Sequence, residues 1–186
     1  FSMEGFYGEG QSGERVMLLE DNQEALEERL RLISMAEEEI ILSTFDFCDD
    51  ESGKDILAAL YAAAERGVSV KIFVDGSTSF IHMEGSPWFY ALSSHEAVEI
   101  KIYNKINLLT PWTIQGRMHD KYLIVDHWAY ILGGRNTYDY FLGDYATGHK
   151  NYDRQPLVIK EDKKNRGSVE ELEKYFWDIW NLNCSK

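Results

Sequence analysis

The sequence predicts an α/β domain built on a mixed, mostly parallel β-sheet that is flanked by helices on both faces. Over residues 15–75, short apolar runs alternate with segments that carry apolar residues at helical spacing. This alternation is typical of parallel strands joined by helices. Two later β-runs, Lys121–Val125 and Ala129–Leu132, lie too close together for a helical crossover. They predict an antiparallel hairpin, and therefore a sheet of mixed direction.

The domain begins with a predicted strand and an amphipathic helix. Arg15–Glu20 is the short apolar run that predicts the strand. Asp21 or Asn22 can cap the helix that follows, because a short polar side chain at this position accepts hydrogen bonds from the first free backbone amides. The apolar residues of this helix recur at the spacing of one helical face and are Leu26, Leu30 and Ile33.

Two further strands and a second helix follow with short joints. Glu39–Phe47 is rich in β-branched and aromatic residues and predicts a buried strand. A helix begins at Ser52–Gly53, and Gly67 ends it because glycine adopts the left-handed conformation at low cost. Val68–Val74 predicts the next strand, which Asp75–Gly76 ends.

The second half adds shorter elements and a final helix. Pro87–Leu92 predicts a short helix, and Val98–Tyr103 predicts a strand before the hairpin. The final helix is predicted to start at Ser168, with Glu171 three residues later completing a capping box. Its inner face is apolar and consists of Val169, Leu172, Phe176, Ile179 and Trp180.

The chain length predicts one domain. At 186 residues a single core is the default. We assign residues 1–14 to a loose N-terminal segment and residues 15–182 to the domain. Cys48 and Cys184 cannot build a disulfide framework, and neither lies in a paired motif with metal-ligand spacing, which favours a reducing compartment. Every apolar run is far shorter than the ~20 residues that span a bilayer, so the domain itself is expected to be soluble.

The charge balance limits the classes of partner. The chain has 19 basic and 32 acidic residues, for a net charge of −13. This balance disfavours a nucleic-acid binder that works through bulk positive charge, and it predicts no attraction to anionic lipid. A few cationic groups inside a cleft can still bind an anion, because the local field there outweighs the overall charge.

One stretch, residues 117–136, carries side chains that suit phosphate chemistry. His119 and Lys121 are two residues apart at the start of a β-run, so their side chains are predicted to lie side by side on one face. Lys121 can neutralise a phosphate oxygen, and His119 can attack phosphorus or transfer a proton near neutral pH. Asp126 has the opposite parity and lies at the far end of the run, so we assign it a structural role.

The return strand of the predicted hairpin supplies a third group. Asn136 follows a Gly-Gly turn, Gly133–Gly134, and the hairpin can bring its amide level with the start of the first strand. There the amide could donate to the same phosphate. The two glycines allow the backbone to approach closely.

The spacing His-x-Lys-x4-Asp-x6-Gly-Gly-x-Asn resembles the HKD signature of the phospholipase D superfamily. Six specified residues at fixed gaps arise by chance about once in 10⁷–10⁸ windows at average residue usage. The stretches 63–75, 133–141 and 152–159 resemble the cardiolipin-synthase-like branch of that family, most of all the N-terminal half of a bacterial member.

The resemblance implies cleavage of a phosphodiester through a covalent phosphohistidine, without a metal or another cofactor. It implies that His119 is the nucleophile and that Lys121 and Asn136 bind the phosphate together with the backbone at Gly134. Arg135 could contact a head group or form a salt bridge. A downstream acidic residue commonly orients the histidine in this family. Among Asp139, Asp144 and Asp153 we choose Asp153, which precedes a β-run.

The resemblance also implies an incomplete active site. The family's site needs two HKD motifs, and this sequence contains one. The second HKD domain would come from the same longer chain or from a second copy. We favour the first half of a bilobal, membrane-associated phosphatidyltransferase that acts on phospholipid at the cytoplasmic side, inactive as the isolated chain. The alternatives are a homodimeric phosphodiesterase of the endonuclease type and a binding module without activity. Nucleic acid is not favoured as a partner.

Other polar and aromatic residues are predicted to be structural. The remaining histidines are interpreted as surface or packing residues, and they are His82, His95, His127 and His149. The apolar loop 107–112 could rim a lipid cleft and make a peripheral membrane contact, but core packing is the favoured interpretation. The same choice applies to Trp88–Tyr90.

Overall fold

The computed structural model describes residues 13–107, 109, 111–162 and 164–186. Within these residues seven strands form one sheet, namely β1 (Glu14–Leu19), β2 (Glu39–Thr44), β3 (Ser69–Asp75), β4 (Val98–Tyr103), β5 (Tyr122–Val125), β6 (Ala129–Leu132) and β7 (Gln155–Lys160). The helices in the same part of the chain are α1 (Asn22–Met35), α2 (Glu51–Glu65), α3 (Gly76–His82), α4 (Pro87–Ser93) and α5 (Ser168–Trp180). A 3₁₀ turn, Pro111–Gln115, precedes β5. Of the predicted N-terminal segment, residues 1–12 lie outside the described residues, and Glu14 already belongs to β1.

The sheet is mixed, as predicted, but the expectation that most of it is parallel was wrong. Its strand order is β1-β7-β6-β5-β2-β3-β4. Only the pairs β2–β3 and β3–β4 are parallel in the described sheet, whereas the other four pairs are antiparallel. The α1 crossover does not place β1 beside β2, because β1 pairs with β7 and the predicted β5–β6 hairpin lies against β2. The local pattern was right, but the neighbours of β1 are set by distant sequence.

The helix ends follow local chemistry. Asp21 is the N-cap of α1, and its Oδ1 accepts a hydrogen bond from the Gln23 amide at 2.7 Å. Gly67 lies just past α2 with φ of +89°, a conformation that glycine tolerates. Helix α5 starts at Ser168 as predicted, but Glu170, and not Glu171, closes its first turn by accepting from the Gly167 amide at 2.7 Å.

Helices cover both faces of the sheet, as predicted. One face carries α1, α2 and α4, and its core includes Leu26, Leu60 and Leu92 against Ile40 and Ile72. The other face carries α5, whose buried residues Phe176 and Trp180 pack on a second cluster containing Ile41, Phe73 and Ile124. Ile40 and Ile41 belong to opposite faces because successive strand side chains alternate.

An ion pair ties α5 to the β5–β6 turn. The Nδ1 atom of His127, in that turn, lies 2.6 Å from Oε1 of Glu173. Burial lowers the pKa of His127, but the hydrogen bond and charge of Glu173 outweigh it and raise the pKa above the ordinary 6.5. The pair therefore stabilises the fold while the imidazole is protonated, and this contribution is lost as the pH rises through the raised pKa.

Helix α3 was not predicted, and it matters for the site. Asp75, the last residue of β3, is the N-cap of this helix and accepts from the Ser77 amide at 2.8 Å.

In the described part of the chain, no helix is both long enough and apolar enough to cross a bilayer.

Candidate active site

The segment that carries the HKD motif is anchored by a buried carboxylate. Asp75 is fully buried, and its Oδ2 accepts a hydrogen bond from the Met118 amide at 2.9 Å. Its Oδ1 lies 3.3 Å from Nη1 of Arg117. The same side chain therefore caps α3 and fixes the backbone immediately before His119.

His119 and Lys121 lie in direct contact, as their spacing predicts. The Nζ atom of Lys121 is 3.1 Å from Nδ1 of His119 and donates to the His119 carbonyl oxygen at 2.7 Å. The two side chains differ in exposure, because His119 faces solvent and Lys121 is only 4% exposed. An imidazole and an ammonium are thus presented together, with the ammonium at the bottom of the site.

Phe45, at the end of β2, forms a wall for both groups. Its ring centroid lies 4.7 Å from that of His119 and 5.3 Å from Nζ of Lys121. An aromatic face stabilises a cation at this distance and restricts the access of water. Phe45 could not be distinguished by sequence from the other apolar residues of the predicted strand Glu39–Phe47.

Burial lowers the pKa of Lys121, while the negative charges of Asp120, Asp153 and Asp46 oppose that shift. These three carboxylates place Lys121 in a negative surrounding even though the site is predicted to bind an anion. A phosphate group that enters therefore gains most where it reaches the ammonium directly.

Asn136 is held at the same edge of the sheet by the hairpin. The Gly133 amide donates to the Lys121 carbonyl at 3.1 Å, and the next residues cross to β2, where the Thr137 hydroxyl lies 3.4 Å from that of Thr44. Asn136 is 7% exposed, and its Oδ1 is buried without a hydrogen-bond partner among the described residues. This oxygen can only accept a hydrogen bond, so a phosphate oxygen would have to be bound by the Nδ2 group of the same amide.

Asp153 and Gly134 lie against each other beside Lys121. A Cβ on Gly134 would be 2.2 Å from Oδ2 of Asp153, so any larger residue would displace this carboxylate from its observed position. The other oxygen of Asp153 accepts from the Arg154 amide at 2.8 Å. Within the described part of the chain, no hydrogen bond joins Asp153 to His119, so its orienting role stays a prediction.

The Arg135 side chain is buried among neutral acceptors. It is 2% exposed, and its donors reach Asn22 Oδ1 at 3.1 Å and the Glu20 carbonyl at 3.0 Å. Burial lowers the pKa of this guanidinium. No salt bridge of Arg135 occurs among the described residues, and its contact with a head group stays a prediction.

Asp126 lies at the other end of β5 from His119. Its carboxylate accepts hydrogen bonds from three successive backbone amides, those of Glu37, Glu38 and Glu39, at 2.7, 2.8 and 2.8 Å. Its φ of +47° places it in the left-handed region. These contacts join the β5–β6 turn to the start of β2 and support a structural role.

His82, interpreted as a surface or packing residue, is exposed at the end of α3, with its Nδ1 2.7 Å from Oδ1 of Asp46. For the apolar loop 107–112 before the motif, core packing was the favoured prediction. Residues 108 and 110 of it lie outside the described residues, but Leu109 and Trp112 are 86% and 75% exposed. Of residues 88–90, Phe89 is buried, whereas Tyr90 is 77% exposed.

The fold and the site define an α/β domain that presents one His–Lys pair and one asparagine at a single sheet edge. The family model described as "Cardiolipin synthase, PLD-like domain" matches residues 30–180. The chain therefore belongs to this family of phospholipase D-like domains, as the HKD spacing indicated.

Curated relatives agree with this assignment. Cardiolipin synthase C of Escherichia coli (strain K12) is 32% identical over 139 residues, which are 67% of this chain and 28% of that protein. An uncharacterised protein of Helicobacter pylori (strain ATCC 700392 / 26695) is 35% identical over 149 residues, 74% of this chain and 29% of that protein. The chain thus spans less than a third of the length of these relatives.

Solved structures share the fold. The phosphatidylserine synthase of Haemophilus influenzae Rd KW20 has a TM-score of 0.73 at 16% identity, over 92% of this chain and 38% of that one. NucT from Helicobacter pylori has a TM-score of 0.68 at 16% identity, over 89% and 95% of the two chains. Nuc from Salmonella typhimurium, a phospholipase D family member, has a TM-score of 0.63 at 22% identity, over 93% of this chain and 97% of that one.

Proposed function

We propose that this domain provides one half of a phospholipase D-type site that transfers a phosphatidyl group between alcohols, as in cardiolipin synthesis. The observation that carries the proposal is the contact of 3.1 Å between His119 and the buried ammonium of Lys121. A nucleophile and a fixed cation that touch each other suit attack on a phosphodiester. The Nδ2 group of Asn136 at the same edge of the sheet is the second phosphate ligand in this proposal, because it can donate to a phosphate oxygen.

The reaction follows from these groups. Lys121 and Asn136 hold the non-bridging oxygens, and an imidazole nitrogen of His119 attacks phosphorus. The bond from phosphorus to the leaving alcohol oxygen breaks, and that oxygen takes a proton from the histidine of the second motif. The second histidine then removes the proton of an incoming alcohol or water, whose oxygen displaces His119 from phosphorus. An alcohol gives transfer, and water gives hydrolysis.

The contact with Lys121 also sets the starting tautomer of His119. An ammonium can only donate, so Nδ1 accepts and the neutral ring carries its proton on Nε2. Attack through Nε2 requires this proton to move to Nδ1. A bound phosphate would draw the ammonium away and leave Nδ1 to donate to a carboxylate, and this is the role that we assign to Asp153.

The rim of the site suits a lipid substrate. Leu109, Trp112 and Ile114 lie just before the motif and are 86%, 75% and 45% exposed. Apolar side chains on a loop beside a phosphate site can enter the headgroup region while the net charge of −13 keeps the rest of the domain away from anionic lipid. We therefore place membrane contact at this loop and expect the full-length protein to be membrane-associated at the cytoplasmic side.

The second motif comes from a longer chain in this proposal. The relatives identified as cardiolipin synthases are about three times as long as the matched region, which leaves room for a second such domain. The isolated single-motif domain should then be inactive at concentrations where it is monomeric.

The test is turnover of phosphatidylglycerol vesicles by the full-length protein, with cardiolipin and phosphatidic acid measured by thin-layer chromatography. His119→Ala should abolish product while the fold, followed by circular dichroism, is retained. His149→Ala serves as the matched control. Asp153→Asn should lower kcat with little change in KM, because it positions His119. Full turnover by His119→Ala would refute the assigned role.

A homodimeric phosphodiesterase of the endonuclease type is the second candidate. NucT and Nuc are covered over 95% and 97% of their chains, so proteins of about this size adopt the fold. Light scattering over a dilution series, combined with cleavage assays on single-stranded DNA, separates the two. A dimer that persists on dilution and cleaves DNA, with vesicles unchanged, would favour the endonuclease type.

A further inference from the structure

Three side chains with different metal-binding chemistry converge beside the phosphate site. A carboxylate oxygen of Asp46, the thiol of Cys48 and an imidazole nitrogen of His82 all lie within 4.8 Å of one another. Asp46 Oδ1 is 2.7 Å from His82 Nδ1 and 3.9 Å from Cys48 Sγ. The residues are 36 positions apart at the extremes, so their meeting is a property of the fold and not of a local sequence motif.

We propose that Asp46, Cys48 and His82 form a binding site for one Zn²⁺ ion or a similar borderline-soft divalent cation. This site is separate from the phosphodiester machinery, and the inference does not depend on the function proposed above.

The distances suit zinc with small movements. Bond lengths of about 2.0–2.3 Å in a tetrahedral site require ligand atoms about 3.4 Å apart for an oxygen–nitrogen pair and about 3.6 Å for an oxygen–sulfur pair. The observed separations are 2.7 and 3.9 Å, so each of these two pairs has to change by less than an ångström. The third pair, His82 and Cys48, lies within 4.8 Å.

The backbone that presents the ligands is fixed from several sides. The Asp46 carbonyl accepts from the Thr137 amide at 3.0 Å, and the Cys48 amide donates to the Thr137 carbonyl at 3.2 Å. Phe47 between them is fully buried, so Asp46 and Cys48 are turned to the same side. On α3, the Thr78 hydroxyl donates to the Phe45 carbonyl, which locks the helix that ends in His82 against this segment.

The local charge favours a cation. The carboxylates of Asp46, Asp49 and Asp50 place negative charge around Cys48, and this charge attracts a dication. A bound dication would replace the thiol proton, which leaves to solvent. A thiol and an imidazole select zinc-like ions over magnesium and calcium, which prefer oxygen ligands only.

The site is accessible and leaves one position open. His82 has a side-chain exposure of 38%, so an ion can enter from solvent. Three protein ligands leave a fourth tetrahedral position for water or for an oxygen of a bound molecule. Asp46 directly follows Phe45, the wall of the phosphate site, and its charge reaches Lys121. A bound ion would therefore add positive charge at the rim of that site.

The test is metal binding by the full chain after removal of metal with a chelator. Isothermal titration with Zn²⁺ should give one equivalent, unaffected by excess Mg²⁺. Substitution with Co²⁺ should give the ultraviolet charge-transfer absorption of a cobalt–thiolate bond. Cys48→Ser and His82→Ala should each weaken binding by at least about tenfold, because loss of even an outer partner of a metal ligand costs about 10–100-fold.

Matched controls are Cys184→Ser and His149→Ala, which remove the other thiol and an exposed imidazole and should bind zinc as the parent does. Thermal unfolding of each variant without metal shows whether its fold is retained. The cobalt spectrum of the parent protein tests for a metal–thiolate bond even if a variant fails to fold. Absence of the thiolate absorption, stoichiometry well below one, or equal binding by Cys48→Ser would overturn the proposal.

Discussion

Asp126 offers a quantitative test of the division between structural and catalytic residues in the HKD motif. Its carboxylate holds the amides of Glu37, Glu38 and Glu39 and lies at the edge of the sheet opposite to His119. Asp126→Ala should therefore lower the free energy of unfolding, whereas the geometry around His119 should be unchanged.

The magnitude follows from the three hydrogen bonds. The amides of Glu37 and Glu38 are exposed and can bond to water after the change, so each loss costs about 0.5 kcal/mol. The amide of Glu39 is partly buried, and its loss costs about 1.5 kcal/mol. The φ of +47° adds about 1 kcal/mol for alanine, which tolerates the left-handed region poorly. The expected total for Asp126→Ala is about 3.5 kcal/mol.

Two further variants separate capping from backbone strain. Asp126→Gly also loses the three hydrogen bonds but adopts the positive φ freely, so it should cost about 1 kcal/mol less than alanine. Asp126→Asn keeps one carbonyl oxygen in the place of Oδ1, which holds two of the three amides, and should cost about 1 kcal/mol. The expected order of destabilisation is alanine, then glycine, then asparagine.

Urea unfolding followed by tryptophan fluorescence measures these differences. Asp178→Ala on the exposed side of α5 is the matched control and should change stability by no more than about 0.5 kcal/mol. A cost below about 1 kcal/mol for Asp126→Ala, or a glycine variant that is as unstable as the alanine variant, would refute the reasoning.

Three further predictions concern other buried or paired groups. Asp75→Asn should cost about 3 kcal/mol in urea unfolding and lower turnover, because Met118 loses its anchor. Below pH ~6.5, His127→Gln should lower the free energy of unfolding by about 0.5 kcal/mol, since Glu173 raises the pKa of the imidazole. This effect should vanish as the pH rises through that pKa, and an effect that grows with pH would contradict the assignment. Arg135→Lys should lower the melting temperature but leave KM unchanged. A raised KM would instead indicate that Arg135 contributes to substrate binding.

Local features of the fold could be predicted from the sequence, whereas distant pairings could not. The cap at Asp21, the end of α2 at Gly67 and the β5–β6 hairpin each depend on a few adjacent residues. The pairing of β1 with β7 joins residues about 145 positions apart, such as Arg15 with Ile159. Nothing in either strand's own pattern specifies its neighbour, because both are simply apolar runs.

The same distinction holds for the site. The His119–Lys121 contact follows from a spacing of two residues, and the position of Asn136 follows from the hairpin. Phe45 contacts His119, and Asp75 contacts Met118, across more than 40 positions in sequence. Only the fold shows that these residues belong to the site. Arg135 lies inside the motif next to Asn136, but the burial of its side chain could not be predicted from the sequence.

The directions of the strands bear directly on the site. In the observed order, β2, β3 and β6 run one way, and β5 and β7 run the other way. The ends of the first set therefore meet the beginnings of the second set at one edge of the sheet. The residues at this edge are Phe45 and Asp46 after β2, Asp75 after β3, His119 and Lys121 before β5, Asn136 after β6 and Asp153 before β7.

A β5 strand parallel to β2 would not assemble this set. If β5 ran parallel to β2, its beginning would lie at the opposite edge from the carboxyl ends of β2 and β3. His119 would then be separated from Phe45 by the length of the strand, and Asp75 could not hold the Met118 amide. The antiparallel β5 is thus what brings the motif to the strand ends, and the same reversal sends Asp126 to the far edge, where its carboxylate holds three backbone amides. The motif's histidine and lysine lie at one edge of the sheet, and its aspartate bonds to the backbone at the other edge.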